Sequence, residues 1–387
     1  MAGNYEIKKV SFNDQFAFLR VPEIEAEGTT IDVISRAVSI KLSTKFVKEV
    51  YLPKVTKSIY EVFMRLDLAT LRAIDSNAEA QEEFINSKFP SNIAAENTLD
   101  GKLMPIIFLM IDIKTGDKFE DRDIEYVNDI LTWVSNKIYV VPILRFSDDI
   151  NRDDRVKLYY DFVKKLLDEK KSISDKIRSA ISIPSFCKGS RVSEIFELYK
   201  NENKAPALAV IDFERNRITS SKIIGVVSNV VRAYNDAKEE KYAIYGFNVK
   251  PYKKGVETPL AEDMGCFLSG LNAIGDTYRL NNQAKVFVPE PKEIADLPKI
   301  FNSDAYKYLK LSDQSSGKEF SDWCNSVYGF ELTKDHLTRY PRYEQRFNVF
   351  KTGVEAVGIS EMINKGEEAE LKKKIYNKDI TKLLTGK

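Results

Sequence analysis

Apolar and polar positions follow two different periods through the middle of the chain. Five short runs, 106–113 (IIFLMIDI), 138–144 (IYVVPIL), 180–184 (AISIP), 207–213 (ALAVIDF) and 242–249 (YAIYGFNV), are rich in β-branched residues and apolar on both faces. That is the pattern of strands buried inside a parallel sheet. Each run is followed by a polar loop and, in most cases, by a segment with helical spacing, which predicts repeated βα units. In 121–135, Ile124, Val127, Ile130, Leu131 and Val134 share one helical face, and Asp121 and Asp123 sit at the positive N-terminal end. Segment 153–170 repeats the pattern with Val156, Tyr159, Val163, Leu166 and Leu167. Thr219 or Ser220 can cap a further helix carrying Ile223, Val226, Val227 and Val230.

Upstream, 5–10, 16–21 and 31–42 read as extended, and 44–86 as mostly helical with a break or start near Pro53. Downstream, 260–273 reads as a helix and 284–288 as one more strand. The strand total of about eight predicts an α/β fold of (β/α)8-barrel type, with an open doubly wound parallel sheet as the alternative. Pro289, Pro291 and Pro298 mark a change of composition. The predicted division is therefore 1–290, barrel-like with an extended and helical lead-in, and 291–387, mainly helical. In the second part Pro341 suits a first helical turn, and Tyr343, Phe347, Phe350, Val354 and Val357 form an apolar stripe in which Phe347, Phe350 and Val354 are expected to be buried, with Arg339, Arg342 and Arg346 on the neighbouring face.

Composition narrows the function classes. With 387 residues and 43% apolar side chains the chain can bury a large core, and 59 Lys and Arg against 58 Asp and Glu leave no global charge to attract nucleic acid or membrane. The run 103–111 covers about half the ~20 residues a spanning helix needs, so no membrane span is expected. Cys187, Cys266 and Cys324 are too far apart for a metal knuckle and too few for a disulfide framework, and the first ten residues lack the apolar stretch of a signal peptide. A cytoplasmic setting is expected.

In either parallel architecture a ligand sits at the carboxyl ends of the strands. Asp112 and Asp212 stand there inside otherwise apolar runs, MIDIK and VIDFE. Partial burial can raise such a carboxyl toward the range of a general acid or base, and a nearby cation can keep it ionised as a nucleophile or stabiliser. The structural alternative is a pair of aspartates capping helices or paired with Arg145. Around them, Arg145, Ser185, Lys188, Arg215, Asn248 and Lys250 are the candidate substrate-binding residues. The helix that follows Cys187 and Lys188 could bind an anion at its N-terminus and lower the Cys187 pKa. His336 is the sole histidine, so no zinc site is expected, whereas Asp112, Asp148 and Asp212 could hold Mg²⁺. No phosphate loop, dinucleotide fingerprint, HExxH or GxSxG occurs.

The expected function is an enzyme acting on a phosphate-bearing or nucleoside-like substrate, with Asp112 and Asp212 as acid/base or nucleophile. Paired carboxylates can serve glycosidic-bond chemistry without histidine. The alternative is a non-catalytic binding or scaffold protein. From Arg339 onward there are 11 Lys and Arg against 7 Asp and Glu, and Arg339, Arg342 and Arg346 interleave with aromatic residues as nucleic-acid contacts would.

Overall fold

The structure is a computed structural model that describes residues 9–12, 22–26, 29–32, 35–39, 42, 44–55, 58–88, 102–134, 138–170, 178–187, 189–200, 208–236, 242–278, 299–311, 313–330 and 341–385. Strands β1 (Lys9–Phe12), β2 (Pro22–Ala26) and β3 (Thr29–Asp32) form an antiparallel sheet. The chain then runs through β4 (Ser35–Arg36) and β5 (Val38–Ser39), one extended stretch broken at Ala37, and a helical turn ending at Tyr51. The α/β part follows as β6 (Ser58–Asp67), α1 (Leu68–Asp75), α2 (Ala78–Lys88), β7 (Leu103–Ile113), α3 (Asp121–Val134), β8 (Ile138–Val140) and β9 (Ile143–Phe146). It continues through α4 (Arg152–Lys170), β10 (Arg178–Ile183), α5 (Ser190–Lys200), β11 (Leu208–Asp212), α6 (Ser221–Asp236), β12 (Ala243–Phe247), α7 (Glu262–Leu268) and β13 (Ala273–Ile274).

All neighbours within this part are parallel. One sheet has the order β4-β13-β12-β11-β10-β8 and the other β5-β6-β7-β9. The two sheets share both margins: 35–39 gives β4 to one and β5 to the other, and 138–146 gives β8 to one and β9 to the other, with Val141 and Pro142 between. A buried cluster draws side chains from both sheets, including Ile59, Phe108, Ile143, Val210, Tyr245 and Ala273. The opposite strand faces meet the helices in a larger core containing Val62, Ile111, Val127, Val163, Ile211 and Val226. Two layers of burial explain why these strands are apolar on both faces.

The last part begins with the antiparallel hairpin β14 (Lys299–Asn302) and β15 (Lys307–Lys310), followed by α8 (Gln314–Tyr328), α9 (Pro341–Asn364), α10 (Glu368–Tyr376) and α11 (Asp379–Thr385). Helix α9 packs on the β5 margin, where Val349 joins Val38, Phe46 and Tyr51. Its Gly353 lies so close to the Tyr51 ring that an added Cβ would meet the phenol oxygen at 2.7 Å.

Three expectations are corrected. Segment 44–86 is helical over Thr44–Tyr51, Leu68–Asp75 and from Ala78 onward, but strand β6 occupies its centre. Val62, Met64 and Leu66 line one face of β6, while on the other face Glu61 and Arg65 interrupt Ile59 and Phe63 and hide the strand alternation. Segment 260–273 is helical only over Glu262–Leu268, and its end supplies β13. In α9 the buried face runs through Val349, Thr352, Ala356, Ile359 and Ile363, leaving Val354 36% exposed rather than buried. The expected strand at 284–288 lies outside the described residues. Among the described residues no helix is long and apolar enough to cross a membrane.

Candidate functional site

The last turns of β6, β7 and β9 set three polar residues in one row, since Asp67 pairs in register with Asp112 and Asp112 with Arg145. Asp67 is occupied by structure. It caps α1 by accepting from Thr70 N at 2.8 Å and takes the Lys114 ammonium at 2.9 Å, and these bonds hold its carboxyl down at about 2. Asp112 is held from one side only. Arg65 Nε and Nη2 reach its Oδ2 at 2.7 and 2.6 Å, while Asp112 Oδ1 is buried without a hydrogen-bond partner. Beside it, Arg145 Nη1 is also buried and unpartnered.

Arg145 links this row to the next sheet. Asp212 ends β11 at 3% exposure and accepts the Glu214 N–H at 2.9 Å. Burial, then the Glu214 charge, push its carboxyl up to about 7, with Lys222 and Arg145 pulling the other way. Arg145 is thus the register neighbour of Asp112 and an electrostatic partner of Asp212.

The adjoining loops have unusual backbone. Glu214, Arg215 and Asn248 adopt φ of 46°, 59° and 57°, a region that costs most residues energy and that Asn tolerates best. They are clamped by Arg215 N donating to Asn248 O and Lys250 N donating to Asn216 O, both at 3.0 Å. Clusters of such residues are characteristic of binding and catalytic loops. Asn248 is fully buried, its Oδ1 accepts from Tyr278 N at 3.0 Å, and its Nδ2 has no partner. Ser185 Oγ is likewise buried and unpartnered.

Sequence reasoning missed Arg65, Phe63 and Glu61, all on the β6 strand that it read as helix. Glu61 is fully buried and accepts from Tyr245 OH at 3.0 Å, Tyr278 OH at 2.8 Å and Asp276 N at 2.9 Å. Burial pushes its carboxyl up to about 7, against these donors. Next to it Arg36 donates to Gly275 O, and Asp276 Oδ2 accepts from Ser39 and from Gln345 of α9, each at 2.9 Å. This network bridges β4, β13 and α9. Its signal in the sequence was the alternation of Ile59, Glu61, Phe63 and Arg65.

Other expected site residues stand apart. Arg215 is exposed and Lys250 half-buried, while Lys188 lies outside the described residues. Cys187 is corrected: burial pushes its thiol up to about 12 rather than the helix lowering it. Asp148 is exposed, and no group of three His, Cys, Asp or Glu among the described residues is placed to hold a metal ion. Arg339 and the Arg342 side chain lie outside the described residues. Arg346 is half-buried, donates to Tyr328 OH at 3.2 Å and lies 5.8 Å from the centres of both the Phe46 and Tyr328 rings. A cleft of about 320 Å³ between α6 and α11 is lined by Ile218, Thr219, Ile224, Val227, Val231 and Leu383.

The chemistry available at the strand ends is therefore a guanidinium donor, an ion-paired carboxylate with one bare oxygen, a carboxyl that titrates near neutrality and an amide donor. Comparison of the chain with protein-family models and with curated proteins finds no match.

Proposed function

We propose that the parallel strands close as a (β/α)8 barrel and that its strand-end mouth is the active site of an enzyme working on a phosphate-bearing or nucleoside-like substrate. Closure is supported by the strand neighbours: with 35–39 and 138–146 each counted as one strand, eight strands follow one another in chain order and the last pairs with the first. The active-site reading is supported by one observation above all. Asp112 Oδ1 and Arg145 Nη1 are an acceptor and a donor, buried in register on neighbouring strands and bonded to nothing. Leaving such groups unpaired costs about 1–3 kcal/mol each, and a ligand offering both a donor and an anionic acceptor removes that cost.

In this reading Arg145 receives the anionic group, since a guanidinium matches phosphate geometry. Asp212, titrating near pH 7, exchanges the proton. Asp112, paired with Arg65, faces the reacting centre through its bare oxygen, as nucleophile or as stabiliser of developing positive charge. A reducing cytoplasmic setting belongs to the same reading, supported by three buried free cysteines.

The test is calorimetric titration with inorganic phosphate and ribose 5-phosphate. Binding of at least one that weakens roughly tenfold or more in Arg145→Met supports the reading. Absence of binding, or binding indifferent to Arg145, overturns it.

A further inference from the structure

Asn248 and Phe63 meet around one tyrosine. The Tyr278 N–H fixes Asn248 Oδ1, so the unpartnered Nδ2 is a donor by elimination and not by assumption about the amide's orientation. The Tyr278 ring lies against Phe63 with centres 4.4 Å apart and planes tilted by 38°, it stacks on Phe247 at 5.5 Å, and Phe247 stacks on Phe108 at 4.5 Å. Phe108, Phe247 and Tyr278 are buried, whereas Phe63 keeps part of its surface exposed. Two residues along the same face of β6 from Phe63 stands Arg65, which holds Asp112. An aromatic face, joined to a bare amide donor through Tyr278, thus lies two strand positions from the arginine that pairs with Asp112.

We propose that Phe63 and Asn248 form a base-binding subsite of the strand-end site, in which the planar heterocycle of a nucleoside lies on the Phe63 ring and presents a ring-nitrogen or carbonyl acceptor to Asn248 Nδ2. The proposal rests on the strand-end reading above and names the ligand more closely. Aromatic stacking supplies affinity for any base, because every base has a π-face, and the single donor selects among bases by their acceptors. The platform is pre-organised. One neighbour of Phe63, Tyr278, is anchored at both ends, by its N–H to Asn248 and by its hydroxyl to Glu61 at 2.8 Å. A bare sugar phosphate would leave the aromatic face and the Asn248 donor unused.

The experiment is titration of the full chain with adenosine, guanosine, cytidine and uridine, none of which carries a phosphate, with ribose as the control. At least one nucleoside should bind more tightly than ribose. Phe63→Leu should weaken it roughly tenfold, the scale on which loss of one stacking ring is felt, and Phe63→Tyr should retain it. Asn248→Asp keeps the bond to Tyr278 N and tolerates the positive φ but removes the donor, and should weaken the preferred nucleoside by a similar factor. Unfolding midpoints of the variants identify any that fail to fold, and the retained affinity of Phe63→Tyr is read independently of them. No nucleoside binding, or affinity unchanged in both folded Phe63→Leu and folded Asn248→Asp, overturns the subsite. Binding of ribose 5-phosphate without any nucleoside removes the subsite and leaves the anion site standing, whereas nucleoside binding without phosphate binding does the reverse.

Discussion

Arg65 reaches one oxygen of Asp112 with two of its nitrogens, at 2.7 and 2.6 Å, and leaves the other oxygen bare. The two residues come from adjacent strands, and their side chains are only 19% and 24% exposed. Pairing from one side leaves the second oxygen of the carboxylate without a bond. Breaking the pair should be felt more strongly than an exposed ion pair would suggest, because the orphaned carboxylate stays partly buried. Arg65→Met is expected to lower stability by roughly 1–3 kcal/mol at pH 7, with part of the loss recovered in Arg65→Met/Asp112→Asn. Urea unfolding of the two single variants and the double variant measures this coupling, and strict additivity would dismiss it.

Asp212 should make stability depend on pH with a definite sign. Its carboxyl is raised to about 7 in the fold, against about 3.9 in an unfolded chain. Its stabilising share is complete below about pH 4, declines as the pH rises through the folded value, and is flat above it. Asp212→Asn removes that slope, so from pH 4 to pH 7 the variant should gain on the natural chain by up to roughly 4 kcal/mol. Glu61 titrates in both proteins and cancels in the difference. Parallel stability curves would contradict the burial of an ionisable Asp212.

Turnover is expected to fall at least about 100-fold in both Asp112→Asn and Asp212→Asn on whichever phosphate-bearing or nucleoside ligand the chain converts. Near-ultraviolet circular dichroism should stay native. Full activity in either variant, measured as initial rate at saturating ligand, removes that residue from the proposed chemistry.

How far the sequence could be read is clearest at β6 and β7. Strand β7 carries nine consecutive residues without a polar side chain, Leu103–Ile111, before Asp112, and both the strand and its polar end are legible because two-sided burial leaves a continuous run. Strand β6 turns Glu61 and Arg65 toward the face that carries Ile59 and Phe63, so its pattern imitates a helix, and the partner of Asp112 was lost with it. Asp212 and Asn248 were found by their position after apolar runs. Tyr278 could not be, because β13 has two residues and leaves no periodicity to detect.

The basic and aromatic helix α9 gives a prediction against nucleic-acid binding through Arg346. Its guanidinium sits beside Tyr328 and Phe46, so Arg346→Ala should lower stability by roughly 1–2 kcal/mol through lost packing and cation–π contact. Affinity for a single-stranded oligonucleotide, measured by fluorescence anisotropy at low salt, should not change. A steep loss would restore the arginine to a docking role.

At the margin where β4 meets β13 only two residue pairs are in register, Ala273 with Ser35 and Ile274 with Arg36. Side chains carry the connection further: Arg36 to Gly275 O, Ser39 to Asp276, and Asp276 N to Glu61. An added Cβ at Gly275 would overlap Glu61 and Tyr245, so Gly275→Ala should cost roughly 1–3 kcal/mol by overpacking, read as a lowered unfolding midpoint. An unchanged midpoint would mean that the junction is loose.

The division of 138–146 at Val141 and Pro142 assigns Asp112 and Arg145 to one hydrogen-bonded ladder and Asp212 to another. Within a ladder, side chains move only in whole-residue steps, and a slip of one turns each to the opposite face. The segment 138–146 is the hinge between the ladders, so a change in its bend at Val141 and Pro142 shifts Arg145 relative to the β11 end without breaking the register of either sheet.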